Sequence, residues 1–148
     1  MYLVDTNVVS AGAPTICKLA PGLVDWMDRN SQRLFLSVVT VAEIEDGIAK
    51  ARREGASRKA ARLSEWLETL LHLYSARILH LDVPIARLVG RLSDHARGSG
   101  QDPGFADLAI AATARFYGYT VLTRNIRHFR GLDVVVHDPF GGLPAEID

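Results

Sequence analysis

Several features that would narrow the function are scarce in this 148-residue chain. Its single cysteine, Cys17, excludes an intrachain disulfide and a cysteine-based zinc site, and we expect it to be a buried structural residue. The 17 basic and 17 acidic residues cancel, so global charge does not argue for a nucleic-acid partner. No apolar run approaches the roughly 18 residues of a membrane span, and Asp5 interrupts the apolar start that a signal peptide would need. These absences predict a cytoplasmic protein without membrane contact.

Apolar and turn-forming segments follow one another in the order typical of an α/β protein. Hydrophobic residues make up 48% of the sequence, enough for one domain with a real core. Strands separated by helices predict a three-layer α/β/α fold around a parallel sheet of four to five strands. The predicted strands are 1–5, 33–38, 77–81, 119–123 and 133–137; the predicted helices are 6–10, 21–30, 39–54, 57–74, 82–97 and 102–117, with a loop over 11–20 and a helical turn over 125–129.

Capping residues mark several helix boundaries. Ser57 is expected to cap the helix that follows it, and Asp82 to open the helix 82–97. Asp102 and Pro103 predict a helix start with an acidic cap and a proline at the first helical position. Gly118 is expected to end that helix.

One acidic residue, Asp5, stands directly after the first predicted strand. Ligands of open α/β sheets bind at the carboxyl ends of the strands, so this carboxylate faces a binding edge. Capping of the short helix that follows is the alternative role for Asp5.

Glu43 lies early in the helix after the second strand. Its spacing from Thr40 and Gly47 places the three residues on one helical face. A glycine inside a helix costs about 1 kcal/mol against alanine, so Gly47 indicates a close backbone approach or a substrate groove. The neighbouring Glu45 and Asp46 are expected to be solvated.

Asp107 lies among small apolar residues, with Ala111 and Ala114 above it on the same helical face. We expect it at about the fifth helical residue, too deep to cap its own helix. A carboxylate in such surroundings is costly to ionise without a partner, and a metal ion would supply one. The alternative is an exposed acid on a mostly buried helix. Together with Asp5 and Glu43, Asp107 indicates a site for a hard cation.

A polar segment after the fourth predicted strand completes the candidate site. Thr123 and Asn125 can hydrogen-bond a metal-bound water or a neighbouring carboxylate, although Asn125 could also be a turn or cap residue. His128 is a candidate ligand or a solvent-facing helix residue.

The order of these residues resembles the PIN-domain family, and within it the VapC-like toxins of type II toxin–antitoxin pairs. The resemblance covers residues 1 to about 140, so we expect a nuclease domain over 1–140 and a tail over 141–148. It is carried by Leu3-Val4-Asp5-Thr6-Asn7, by Ser37, Thr40, Glu43 and Gly47, by Asp107 to Ala114, by Leu122-Thr123-Arg124-Asn125 with His128-Phe129, and by Asp138-Pro139-Phe140.

The resemblance implies a role for each matching residue. Asp5, Glu43 and Asp107 would be the metal-binding and catalytic acids, and Thr6 and Thr123 would support them by hydrogen bonds. Many relatives carry a fourth acid at the position of Asn125 or three residues further on. Here those positions hold Asn125 and His128, neither of which is acidic. Asn125 would then order a water, and Asp102 is an outside candidate for the missing charge.

The resemblance also implies an activity and partners. The activity is hydrolysis of single-stranded RNA with Mg²⁺ or Mn²⁺ as cofactor. The partners are a cognate VapB-like antitoxin, a second copy of the chain in a homodimer, and operator DNA reached only through the antitoxin. The two helices between Val39 and Tyr74 are expected to form a clamp for the antitoxin, with Trp66, Leu67, Leu70 and Leu73 either lining it or forming core. Arg124 and Arg127 are the leading candidates for contacts to the RNA backbone.

Two other functions stay open from the sequence. A non-catalytic RNA-binding or regulatory module with a vestigial metal site is compatible with the missing fourth acid. An aspartate-nucleophile phosphatase could also use Asp5 after a first strand, but such enzymes resemble a pattern with a second aspartate two residues on, and position 7 is Asn.

Overall fold

A computed structural model describes residues 1–15 and 22–146 of the chain. The predictions made for Cys17, for the second half of the loop 11–20 and for the helix start at Pro21 lie outside the described residues. No helix among the described residues is long and apolar enough to cross a membrane.

Residues 1–15 and 22–146 form five strands and six α-helices in the order that the sequence predicted. The strands are β1 (Tyr2–Val4), β2 (Leu34–Ser37), β3 (Ile78–Leu79), β4 (Thr120–Leu122) and β5 (Val136–His137). The helices are α1 (Thr6–Val9), α2 (Leu23–Arg29), α3 (Val38–Arg53), α4 (Ser57–Leu73), α5 (Val83–Gly98) and α6 (Phe105–Tyr117). Three 3-10 turns, Ser10–Gly12, Ser31–Arg33 and Ile126–Phe129, complete the order.

All described strand pairs are parallel, and the sheet order is β3-β2-β1-β4-β5. The chain moves outward from β1 through β2 to β3, then returns to β4 on the other side of β1. This reversal creates a topological switch point between β1 and β4, where Leu3 pairs with Val121 and Val4 with Leu122. Ligand sites of such sheets lie outside the carboxyl ends of the strands at this point.

Two hydrophobic cores cover the two faces of the sheet. Because side chains alternate along a strand, Val4 and Leu122 face one core while Leu3 and Val121 face the other. The first core is built with α1 to α4 and the second with α5 and α6. The three-layer α/β/α prediction is therefore confirmed.

Two predicted helix caps are wrong. Ala56, not Ser57, precedes α4, and its side chain makes no capping hydrogen bond to the described residues. Helix α6 begins at Phe105 after Gly104, so Asp102 lies before the helix and does not cap it. By contrast, Asp82 caps α5 by accepting a hydrogen bond from the Ile85 N–H at 3.2 Å, as predicted.

Predicted strands are longer than the observed ones at several ends. The last strand shrinks to Val136–His137 because Asp133 adopts a left-handed φ of 50°, which extended backbone cannot contain. The second strand ends at Ser37, whose hydroxyl accepts a hydrogen bond from the Val39 N–H at 3.1 Å and so starts α3 one residue early. Gly118, with φ of 70°, ends α6 as predicted.

Candidate active site

Asp5 is the buried centre of the site, with 5% of its surface exposed. It follows β1, and its backbone N–H donates to the Leu122 carbonyl at 2.9 Å, which extends the pairing with β4 by one residue. One carboxylate oxygen, Oδ1, accepts from the Thr6 N–H at 2.8 Å, so Asp5 does cap α1. The capping role and the placement at the binding edge therefore hold for the same residue.

The segment after β4 holds the second oxygen of Asp5. The Thr123 hydroxyl, fully buried, donates to Oδ2 at 2.8 Å, and the Asn7 amide donates to the same oxygen at 3.0 Å. The Thr123 oxygen in turn accepts from the Asn125 N–H at 3.0 Å, while the Arg124 N–H donates to Asn7 Oδ1 at 2.9 Å. These bonds tie the ends of two neighbouring strands together and fix the orientation of the Asp5 carboxylate.

Glu43 reaches the site from α3, where it is the sixth residue and so lies in the second turn. The Thr6 hydroxyl donates to Glu43 Oε1 at 2.7 Å. Burial raises the pKa of the Glu43 carboxyl; the hydrogen bond from Thr6 opposes this, and the negative charges of Asp5 and Asp107 raise it further. The three acids predicted from the sequence therefore lie close enough to influence one another.

Asp107 reaches the site from the first turn of α6. It is the third residue of the helix, not the fifth, because the helix starts at Phe105. Its side chain is 24% exposed, so the alternative of a fully solvated acid is wrong. Burial raises the pKa of Asp107; the nearby His128 lowers it by charge and by hydrogen bonding, and Asp5 raises it.

His128 supplies the partner that Asp107 was predicted to need. Its ring nitrogen Nδ1 lies 3.1 Å from Asp107 Oδ2, and the imidazole is 54% exposed. From the sequence His128 was only a candidate ligand or a solvent-facing residue. Its pairing with Asp107 joins a 3-10 turn to a helix that begins more than twenty residues earlier, so no local pattern reveals it. The signal that could have indicated the pairing was the difference from the family pattern, since His128 is a basic residue where a fourth acid was expected.

The side chains of Asn125 and Asp102 make no hydrogen bond that ties them to the three acids within the described residues. The Asn125 N–H is bonded to Thr123, and its side chain makes no hydrogen bond within the described residues, so the predicted cap contact is not seen there. Asp102 is exposed in an open cleft of about 570 Å³ that it shares with Asp107, His128, Arg127 and Arg130.

The acids are arranged loosely rather than as a closed cage. Within residues 1–15 and 22–146, no three His, Cys, Asp or Glu side chains form a group that could hold a metal ion as they stand. Asp5 is fixed by its hydrogen bonds, whereas Glu43 extends from a helix and is partly solvated. An ion bound by all three carboxylates would need a rearrangement of their side chains.

A groove runs from the site along α3 and α4, with a volume of about 370 Å³. A Cβ placed on Gly47 would meet no described atom within 4 Å, so of the two predicted reasons for this glycine the groove is supported. Of the four predicted lining residues, Trp66 lines the groove, Leu67 and Leu70 are core, and Leu73 is 60% exposed. The groove walls include Thr6, Glu43, Gly47, Lys50, Lys59 and Leu63.

The fold and the site define an α/β protein with an acidic pocket at the carboxyl edge of a parallel sheet. A family model described as the PIN domain matches residues 2–134. The chain therefore belongs to the PIN-domain family.

Similar proteins share nearly the whole chain. Toxin FitB of Neisseria gonorrhoeae is 35% identical over 142 residues, which cover 95% of this chain and 99% of FitB. VapC ribonuclease Y4jK of Sinorhizobium fredii is 33% identical over 141 residues, covering 91% of this chain and 96% of Y4jK. The solved structure of FitAB bound to an IR36 DNA fragment is 34% identical with a TM-score of 0.79, and the match covers 95% of this chain and 96% of that one.

Proposed function

We propose that this protein is the toxin of a VapBC-like toxin–antitoxin pair and acts as a metal-dependent endoribonuclease on single-stranded RNA. The observation that carries the proposal is the arrangement of Asp5, Glu43 and Asp107 at the switch point of the sheet, where burial and then the charge of Asp5 raise the pKa of Glu43 and of Asp107. The matches to a toxin and to a named VapC ribonuclease support it.

The donor chemistry of the three acids fits Mg²⁺ or Mn²⁺. Both ions take oxygen ligands and keep several waters, so one ion needs only a few carboxylates from the protein. A bound ion would polarise the phosphodiester and generate a nucleophile from water at neutral pH. Burial raises the pKa of Glu43 and of Asp107, and a bound cation would favour the ionised form of both carboxyl groups.

The residues around the acids have separate tasks in this proposal. Thr123, Thr6 and Asn7 hold Asp5 and Glu43 in place by hydrogen bonds of 2.7 to 3.0 Å. Held donors of this kind reduce the reorganisation that a reacting site must undergo. Asn125 is proposed to order a water, a role that its free side-chain amide would allow.

Arginines next to the site would position the RNA backbone. Arg127 and Arg130 line the open cleft that contains Asp107, close to the reacting phosphate in this proposal. The Arg124 guanidinium instead stacks on the Phe140 ring, 4.9 Å from its centroid, which orients it beside the site. Such local positive charge would attract RNA to a chain whose formal net charge is zero.

The groove along α3 and α4 is proposed to receive the antitoxin. It begins at Thr6 and Glu43 and continues to Lys59 and Trp66, so a peptide lying in it could reach the acidic site at one end. A basic side chain of the antitoxin near Glu43 would then neutralise the carboxylates. The related FitAB structure on DNA supports operator binding through the antitoxin. A homodimer is a further expectation, which light scattering of the purified chain would test.

The phosphatase alternative loses its support, whereas the non-catalytic module does not. Membership of the PIN-domain family removes the basis of the phosphatase interpretation, and Asn7 is occupied as a donor to Asp5. A non-catalytic module remains compatible with a site in which both oxygens of Asp5 already accept hydrogen bonds.

The test is cleavage of a mixed RNA pool by the purified chain, freed of antitoxin, with Mn²⁺ and with EDTA. We expect cleavage that requires metal and is lost in Asp107→Asn and Glu43→Gln. Glu45→Gln is the matched control, because Glu45 is an exposed acid on the same helix. A folded protein that binds RNA without cleaving it would overturn the proposed nuclease activity and favour the non-catalytic RNA-binding module. Cleavage that persists in EDTA would overturn the proposed metal dependence.

A further inference from the structure

The contact between His128 and Asp107 joins two side chains that have no other recorded hydrogen bond within the described residues. Asp107 comes from the first turn of α6, and His128 from the 3-10 turn Ile126–Phe129. Both line the same open cleft, so solvent and small ions can reach them. The pair is therefore placed at the mouth of the acidic site rather than inside the core.

The separation of the two atoms matches that of neighbouring metal ligands. In an octahedral site with bonds of about 2.1 Å, two adjacent ligand atoms lie about 3.0 Å apart. His128 Nδ1 and Asp107 Oδ2 lie 3.1 Å apart. An ion could therefore bind both atoms once the imidazole turns its Nδ1 from the hydrogen bond with Asp107 toward the ion. The imidazole would bind through the Nδ1 lone pair and carry its proton on the other nitrogen.

We propose that His128 is a nitrogen ligand of the divalent ion beside Asp107 and that it makes this site favour Mn²⁺ over Mg²⁺. The inference rests on the proposed metal site and adds a ligand and a metal preference to it. Both ions accept oxygen ligands, but Mn²⁺ is a softer transition-metal ion than Mg²⁺ and tolerates an imidazole nitrogen better. Replacing a fourth carboxylate by an imidazole also removes one negative charge, and this loss weakens Mg²⁺ binding most.

The test measures metal binding directly rather than activity. Titration calorimetry of the full chain gives the Kd for Mn²⁺ and for Mg²⁺, and pulsed electron paramagnetic resonance of bound Mn²⁺ detects a directly bound nitrogen. We expect a nitrogen coupling that is lost in His128→Gln, with Mn²⁺ affinity reduced about tenfold. His128→Asp should lose the coupling and bind Mg²⁺ more tightly. His72→Gln is the matched control, since His72 is an exposed histidine on α4.

The outcomes separate this inference from the proposed function. Mn²⁺ that binds in an Asp107-dependent way but without nitrogen coupling would overturn the role of His128 and leave the metal site intact. An Mn²⁺-to-Mg²⁺ preference that His128→Asp does not change would overturn the selectivity. A folded chain that binds neither ion would overturn both the role of His128 as a metal ligand and the proposed metal-dependent nuclease activity.

Discussion

Removing the Thr123 hydroxyl should destabilise the protein out of proportion to its size. Thr123 is fully buried, and its hydroxyl donates to Asp5 Oδ2 at 2.8 Å while accepting from the Asn125 N–H at 3.0 Å. A hydrogen bond to a charged group contributes about 1.5–3 kcal/mol, and a donor left unsatisfied adds to the loss. Thr123→Val keeps the shape of the side chain and removes these two bonds together with a longer one that the hydroxyl accepts from the Asn7 amide at 3.4 Å. We therefore expect the free energy of unfolding to fall by about 2–3 kcal/mol.

Urea unfolding followed by circular dichroism measures this difference. Thr120→Val is the matched control, because Thr120 lies on β4, which Thr123 directly follows, is partly exposed and makes no side-chain hydrogen bond with the described residues. We expect the control to change stability by less than about 0.5 kcal/mol. Equal effects of the two substitutions would refute the argument, because the cost would then come from the strand and not from the bond to Asp5.

Three further substitutions test the site and the groove. Glu43→Gln should raise the Tm at neutral pH. Burial raises the pKa of the Glu43 carboxyl in the folded protein above its ordinary 4.5, so ionising this carboxyl costs stability above that pH. The gain in Tm should vanish as the pH falls below 4.5. A gain that persists at acidic pH in melting curves would contradict this. Gly47→Ala should stabilise the helix by about 0.5–1 kcal/mol in urea titrations and weaken binding in the groove, since its Cβ meets no described atom within 4 Å. Gly131→Ala should cost about 1–2 kcal/mol, because φ is 76°, whereas the exposed Gln101 side chain, 2.9 Å from the added Cβ, can move away; an unchanged unfolding midpoint would refute it.

The sequence predicted the elements that depend on local signals. Apolar runs located β1, β2 and β4, and helical periodicity located α3 to α6 within a few residues. It also singled out Asp5, Glu43 and Asp107 as candidate site acids, through their joint order along the chain and the resemblance to the PIN-domain family. Errors occurred at the helix starts, because Ser57 is the first residue of α4 and Asp102 lies three residues before α6, so neither stands at the capping position.

The partners of the acids could not be predicted in the same way. Thr123 was predicted only as a supporting hydroxyl, and its bond to Asp5 joins residues far apart in sequence. That contact exists because β1 and β4 pair in the register Val4 to Leu122, which places the following residues side by side. The pairing of His128 with Asp107 likewise joins separate elements, and its only hint in the sequence was a basic residue where a fourth acid was expected.

The sequence by itself determined the layer architecture and the positions of Asp5, Glu43 and Asp107, since hydrophobic periodicity and isolated acids are properties of short segments. The tertiary structure alone decided how these acids are held and charged. It set the burial that raises the pKa of Glu43 and Asp107, and it placed His128 3.1 Å from Asp107. The physical reason is that burial and electrostatic interactions depend on distances through space, which are fixed only when distant segments pack together.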